Sequence, residues 1–455
     1  MTLLNELQID KFALGGYGIG HARGKTVFVP YTAIGDIVEA RIVSERRDVI
    51  FARVLRYLSR GEEVSDPGCE AFGEPANCGG CDWLMLPYQK QLQHKTLLLR
   101  ELMRHQMPQE LIQPMLAAPA SDHYRSKTFL PVGRDAAGLI SGIFERWSHT
   151  IVPHQSCRIH PPVFDTLARR CTEQCDKAGV SAYDEEKHSG TLRHIGIRAS
   201  WDGSALMLIL VTRSAKLPFS NLLVKQLTTE FPTLCSIVQN INRERGNVIL
   251  GNEEKLLYGT PWLTDKLGGL SFRLHYKSFW QANPAVAELI IDRIRALLQP
   301  EYRVLDAYSG CGAIGLCVAG QVKEVVCVEE CPEAVADGEF NTQLNGISNA
   351  GFICAPAGSA LPALLEGSGV PGGGRFDALI LDPPRKGVES AALQAVINAR
   401  IPLLLYLSCS PMTLARDLRL LCEGGSYRVE LIQPFDMFPH TWHIETLAVL
   451  RAEQE

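Results

Sequence analysis

The stretch RVLDAYSGCGAIGL, residues 303–316, decides the fold. RVLDAY is a short apolar run that reads as a buried strand. It passes directly into SGCGAIGL, where Gly310, Gly312 and Gly315 have the spacing G-x-G-x-x-G and open a helix. A glycine loop between a strand and a helix lets the backbone approach a ligand. The glycine spacing alone is a weak signal; its place in a strand–loop–helix unit is what gives it meaning. Glu329 ends the next strand-like run, 19 positions after Gly310. A carboxylate there can accept from two ribose hydroxyls, so NAD and S-adenosylmethionine both fit.

Outward from this unit the period is that of a doubly wound sheet. AVAELIIDRIRALL (285–298) is an amphipathic helix. VLDAY, VVCVEE, GFICA, DALILD, LLLYLSC and TLAVL are short apolar runs separated by helical segments. Strands alternating with helices predict a mostly parallel α/β sheet over residues 286–455. Asp306 ends the first strand, and LDPPRKG (381–387) ends the fourth. An Asp-Pro-Pro turn at the carboxyl edge of such a sheet, where ligands bind, is characteristic of nucleic-acid methyltransferases. This favours S-adenosylmethionine over NAD. The Gly-rich stretch 366–374 reads as a surface loop.

LLLYLSCSPMTLARDLRLLC (403–422) is a buried strand, then a cysteine, then a helix. Ser410 suits the N-cap and Pro411 the first turn, with Leu414, Leu418 and Leu421 as the buried stripe. Cys409 therefore stands between a strand end and a helix N-terminus, whose dipole favours thiolate. On the cofactor edge of the sheet this is a candidate nucleophile rather than inert packing. Glu445 lies at the mouth of the last strand, either a solvated strand-end acid or a base beside Cys409.

The other parts differ in character. Residues 1–60 hold short strand-like runs with turns at GGYGIG (15–20), ARGK and AIGD, which predicts a small N-terminal β-barrel. Nine basic against six acidic side chains there give a slight positive balance. Residues 61–285 predict a central α+β domain. It begins with a helix over 87–106, whose apolar side is Leu92, Leu97, Leu98, Leu99 and Met103. Strand-like runs LMLILVT, SIVQNIN, NVILG and LSFRLHY follow.

The chain has 14 cysteines. Cys69, Cys78 and Cys81 cluster in CEAFGEPANCGGC, and Cys157 lies in HQSCRIH. Four thiolates in this pattern suit an iron–sulfur cluster or structural zinc equally well. Cys171, Cys175, Cys235, Cys317, Cys327, Cys331, Cys354 and Cys422 read as packing residues.

Composition sets the class. The 455 residues are 46% hydrophobic and 21% charged, with a net charge of −5. That is an ordinary globular composition, of about three domains at ~150 residues each. No run approaches the ~18 apolar residues of a membrane span. The N-terminus has neither the basic head nor the apolar run of a secretory signal. A cytoplasmic monomer is expected, with no membrane partner.

Taken together these motifs resemble the RNA uracil-5-methyltransferase family, in its subgroup with a TRAM domain and a four-iron four-sulfur cluster. HYRSK (123–127), GIFERWSH (142–149), GNVILG (246–251) and KSFWQANP (277–284) look like the central part. DAYSGCGAIGL, LDPPRKG, LSCSPMTLARDL and FPHTWHIE look like the methyltransferase part. The resemblance implies Cys409 as nucleophile and Glu445 as base. It implies S-adenosylmethionine contacts from Gln281, Tyr308, Glu329 and Asp382, and a 4Fe-4S cluster on Cys69, Cys78, Cys81 and Cys157, with zinc as the alternative. The implied partner is RNA, 23S ribosomal RNA ahead of transfer RNA. A methyltransferase for another RNA base and a non-catalytic RNA-binding protein are the competing readings. Two features depart from the family pattern. Eight residues separate Cys69 from Cys78 where the family usually has five, and Ala313 stands where many members have Asn.

Overall fold

The computed structural model describes residues 2–153, 155–367 and 374–453. Most of the Gly-rich stretch, 368–373, lies outside the described residues.

Six strands come first: β1 (Leu3–Gln8), β2 (Lys11–Ala13), β3 (Tyr17–Ala22), β4 (Lys25–Val29), β5 (Ile37–Glu45) and β6 (Val49–Ser59). Their order is β1-β5-β6-β4-β3-β2, around a core that includes Leu7, Val27, Val38 and Ile50. The end strands β1 and β2 are not paired, so hydrogen bonds do not close the expected barrel. Of GGYGIG, Gly15 and Gly16 form the turn, with φ of 92° and 78°, whereas Tyr17–Gly20 belong to strand β3. A Cβ on Gly20 would lie 2.3 Å from the Gln8 carbonyl oxygen. This glycine serves close strand packing rather than a bend.

A long helix, α1 (Tyr88–Met103), follows. Leu92, Leu99 and Met103 pack into the core of the C-terminal sheet, but Leu97, read as part of the apolar side, is 56% exposed. The next sheet uses β7 (Lys127–Asp135), β8 (Gly138–Phe144), β9 (Ile151–Pro153), β10 (Leu192–Ala199), β11 (Leu206–Thr212), β12 (Leu234–Ile241) and β13 (Glu253–Gly259). The order is β13-β12-β11-β10-β7-β8-β9, antiparallel except for β11 with β12. Helices α2 (Pro162–Lys177) and α3 (Ser220–Glu230) share its core. NVILG, expected as a strand, is a loop; Asn242 Nδ2 donates to the Val248 and Ile249 carbonyls at 2.6 and 2.9 Å. Those carbonyls are satisfied by a side chain rather than by a ladder.

A hairpin of β14 (Trp262–Leu267) and β15 (Leu270–His275) leads into α4 (Pro284–Arg295). Then come β16 (Arg303–Ala307), α5 (Ala313–Ala319), β17 (Glu324–Glu329), α6 (Pro332–Leu344), β18 (Ala350–Cys354), α7 (Ala357–Leu365) and β19 (Ala378–Leu381). The chain finishes with α8 (Ser390–Ala399), β20 (Leu403–Ser408), α9 (Pro411–Cys422), β21 (Tyr427–Phe435) and β22 (Glu445–Ala452). The sheet order is β18-β17-β16-β19-β20-β22-β21, parallel apart from β22, which runs against both neighbours. Strand β21 was not foreseen. The hairpin is fastened to this sheet through α6 and the residue at its end. Asp337, Asn341 and Asn345, four apart on one helix face, accept from the N–H groups of His275, Arg273 and Ser271 at 2.7, 2.7 and 2.9 Å. An otherwise unpaired strand edge is thus satisfied by side chains, which fixes the route to Gln281. No helix among the described residues is long and apolar enough to cross a membrane.

Of the cysteines read as packing residues, Cys171, Cys175, Cys317 and Cys327 are buried and Cys422 is half-buried. Cys235, Cys331 and Cys354 are exposed and fill no core. Cysteine type alone does not report which side of a strand or which end of a helix a residue occupies.

Candidate active site

The carboxyl ends of β16, β19 and β20 open onto a cleft with Gln281, Asp306, Tyr308, Gly310 and Asp382 among its lining residues. The loop is built as its sequence suggests. Gly310 and Gly312 have φ of 58° and 78°, and a Cβ on Gly315 would meet Asp306 Oδ2 at 2.7 Å and Cys327 Sγ at 2.8 Å. The loop needs left-handed backbone twice and close helix–strand packing once. Tyr308 is also left-handed, with φ 63°, and its hydroxyl donates to Glu389.

Glu329 does not line the cleft but stands behind the loop. Its two oxygens accept from the Gly310 and Cys331 N–H groups, each at 2.9 Å. A carboxylate has about four acceptor positions, so lone pairs remain for a ribose. Asp306 appeared in the sequence only as a strand terminus, yet it is a lining residue. Oδ2 accepts from the Gly315 N–H at 2.8 Å, and Oδ1 has no hydrogen-bond partner among the described residues. Burial, above all, raises its carboxyl to about 8 and that of Asp382 to about 7. A cleft with buried carboxyl groups that lack cations of their own fits a cationic ligand. S-adenosylmethionine, with its sulfonium and ammonium groups, is such a ligand.

Cys409 leaves β20 one step beyond the Ser408–Thr446 pair, which sets it opposite Glu445 on antiparallel β22. Glu445 is buried, and that burial, then the charge of Asp382, pushes its carboxyl well above the usual range. The Cys409 thiol is raised to about 11 by burial first, then by Glu445 and Asp382. The expectation of a dipole-favoured thiolate is therefore reversed in the ligand-free protein. A helix end is worth typically 0.3–1 kcal/mol, less than the ~1.4 kcal/mol of one pKa unit. Ser410 does occupy the N-cap of α9, but its side chain makes no cap hydrogen bond. Arg385, from the LDPPRKG turn, lowers both the thiol and Glu445 by its charge; the motif marks the turn, and only the fold brings this guanidinium near the cysteine.

Cys69, Cys78, Cys81 and Cys157 line a second, small pocket with apolar walls that include Phe72, Leu84 and Ile143. Two distant segments thus converge. Burial raises the thiols of Cys78, Cys81 and Cys157. Among the described residues no group of three or more His, Cys, Asp or Glu side chains is arranged to hold a metal ion.

The sheet order and a cleft lined by two buried carboxyl groups at its carboxyl edge fit a methyltransferase of the doubly wound, S-adenosylmethionine-dependent class. The family model described as tRNA (uracil-5-)-methyltransferase matches residues 87–453. The chain belongs to that family and is an S-adenosylmethionine-dependent RNA uracil methyltransferase. An uncharacterized RNA methyltransferase of Halalkalibacterium halodurans is 35% identical over 449 residues, covering 98% of this chain and 96% of that protein. One from Clostridium tetani is 32% identical over 447 residues, covering 98% and 95%. The crystal structure of the Pyrococcus abyssi tRNA (uracil-54, C5)-methyltransferase with S-adenosyl-L-homocysteine shares the fold, with a TM-score of 0.77 and 24% identity. The match covers 98% of this chain and all of that one.

Proposed function

We propose that this protein methylates carbon 5 of a uridine in 23S ribosomal RNA, in the cytoplasm and as a monomer, through a covalent bond between Cys409 and the base. The observation that carries this reading is the juxtaposition of Cys409 and Glu445 across β20 and β22, beside the Asp382 end of the cleft. Carbon 5 of uracil is a weak nucleophile. Addition of the Cys409 thiolate to carbon 6 makes an enolate whose carbon 5 is nucleophilic. Bound S-adenosylmethionine supplies an electrophilic methyl group. Glu445 then takes the carbon-5 proton, and the thiolate leaves as the 5,6 double bond re-forms. The target base is unstacked and flipped into the cleft. Nucleoside analysis of RNA from a deletion strain, with site mapping, tests the assignment. Loss of one 5-methyluridine from 23S RNA is expected; loss from transfer RNA alone would move the target.

Gln281, Tyr308, Glu329 and Asp382 hold the cofactor in this reading. Glu329→Ala is expected to weaken S-adenosylmethionine binding on the order of ten- to a hundredfold, as hydrogen bonds to a charged group contribute ~1.5–3 kcal/mol. Calorimetry checks it, and unchanged affinity would assign the ribose to other residues.

The three parts of the chain would divide the work. Residues 1–60, a TRAM-like module, and the central part, 61–285, hold folded RNA against the methyltransferase part, 286–455. An aromatic surface supports this. Trp147 stacks on Tyr17 at 6.0 Å and 23° between planes, and the Arg53 guanidinium lies 5.8 Å from the Trp147 ring. Such surfaces stack unpaired bases.

Cys69, Cys78, Cys81 and Cys157 are proposed ligands of a 4Fe-4S cluster, supported by their shared apolar cavity. Methyl transfer needs no electron, so the group serves structure or RNA placement. Anaerobically purified protein is expected to be brown and to contain iron and acid-labile sulfide. Colourless protein with one equivalent of zinc would replace the cluster by a zinc site.

A further inference from the structure

Glu445 stands at the start of β22, but the chain reaches it through residues 436–444, which form neither helix nor strand. Ordering irregular backbone costs ~1–2 kcal/mol per residue, so something outside the segment must hold it. Lys95, on α1, donates to Asp436 Oδ1 at 2.6 Å and to the Phe438 carbonyl at 3.1 Å. The Tyr124 hydroxyl donates to the Pro439 carbonyl at 3.1 Å.

His440 is the centre of the arrangement. Its φ is 67°, a left-handed value that a side-chain-bearing residue keeps only when its surroundings impose it. Its N–H donates to Gln91 Oε1 at 2.9 Å, and its carbonyl accepts from the N–H groups of Asp82 and Trp83 at 2.9 and 3.0 Å. Gln91 Nε2 donates to the ring Nδ1 at 3.1 Å. The ring proton is thereby assigned to Nε2, which donates to Asp122 Oδ1 at 2.9 Å. Two residues on, the Trp442 N–H donates to Asp82 Oδ2 at 3.1 Å.

Both acids are fastened at their far side. Asp82 Oδ1 pairs with Arg146, and Asp122 Oδ2 accepts from Arg158 at 2.7 Å. Asp82 directly follows Cys81, and Arg158 directly follows Cys157. The two cysteine-bearing segments therefore grip the approach to Glu445 from two sides.

We propose that Asp82 and Asp122 are positioning residues for the proton-removal step: through His440 and Trp442 they fix the segment that aims Glu445 at carbon 5. This rests on the reading of Glu445 as the base. A misplacement of about 1 Å can cost on the order of a hundredfold in rate, so the effect falls on one step of the reaction rather than on binding.

The test is a rapid-quench single turnover with RNA and labelled methyl donor, following build-up and decay of the methylated protein–RNA adduct. Asp122 is partly exposed, so Asp122→Ala removes the His440 acceptor with little risk to folding; Asp82→Asn is the second variant. In both, adduct decay is expected to slow on the order of ten- to a hundredfold. Adduct formation and the affinities for RNA and S-adenosylmethionine stay unchanged. Asp122→Asn, which can still accept from His440, should recover part of the decay rate. Parallel loss of formation, affinity and decay would mark a merely structural role and overturn the proposal, as would normal decay in Asp122→Ala. Glu445→Gln, run alongside, separates the two ideas. Normal decay in Glu445→Gln removes the base itself, whereas slow decay there with normal decay in Asp122→Ala removes only the positioning role.

Discussion

Cys409→Ala is expected to abolish methyl transfer while RNA and S-adenosylmethionine still bind. Carbon 5 has no other route to nucleophilicity, so the loss should be on the order of 10⁶-fold, the scale seen when the nucleophile of a covalent mechanism is removed. Single-turnover assays with labelled donor measure it, together with equilibrium binding of each ligand. Labelled protein–RNA adduct formed by this variant would remove Cys409 as nucleophile. A pH signature accompanies the role. With the free thiol raised to about 11, alkylation of wild-type Cys409 should accelerate steadily from neutral pH toward that value. A bound sulfonium favours the charged thiolate, so S-adenosylmethionine should move the profile to lower pH. A profile centred near an ordinary thiol value and indifferent to cofactor would contradict this electrostatic account.

Glu445→Gln has a different expected result. Addition and methylation proceed, but the carbon-5 proton has no acceptor, and the enzyme should accumulate an adduct that already carries the methyl group. Turnover should fall on the order of 10²–10⁴-fold, the usual contribution of a positioned general base. A denaturing gel with labelled methyl donor reads protein, RNA and label in one band. The environment favours Glu445 over its neighbour His443, whose ring is lowered to about 4 by burial, then by the charge of Arg385. Glu445 is shifted the opposite way and is the stronger base once ionised. Normal turnover in the variant would transfer the role to another group, His443 first. A dead variant that traps nothing would assign Glu445 a part before methylation.

The local features were legible in the sequence because they are contiguous. Strand, glycine loop and helix follow one another within 303–316, and their backbone requirements fall on neighbouring residues. The strand–cysteine–helix unit at 403–422 is readable for the same reason, and the C-x-x-C at Cys78 and Cys81 is a local spacing. Tertiary structure decided whatever depends on residues far apart. That Gly20 packs against the Gln8 carbonyl, and that Leu97 faces solvent while Leu98 and Leu99 do not, follow from which surfaces meet. The meeting of Cys409 with Glu445 depends on the register of β20 against β22, which no segment encodes alone. Protonation was decided at the same level. A helix terminus written into residues 409–411 favours thiolate, but burial and two carboxyl groups brought from β19 and β22 outweigh it, because desolvation and charge act through space rather than along the chain.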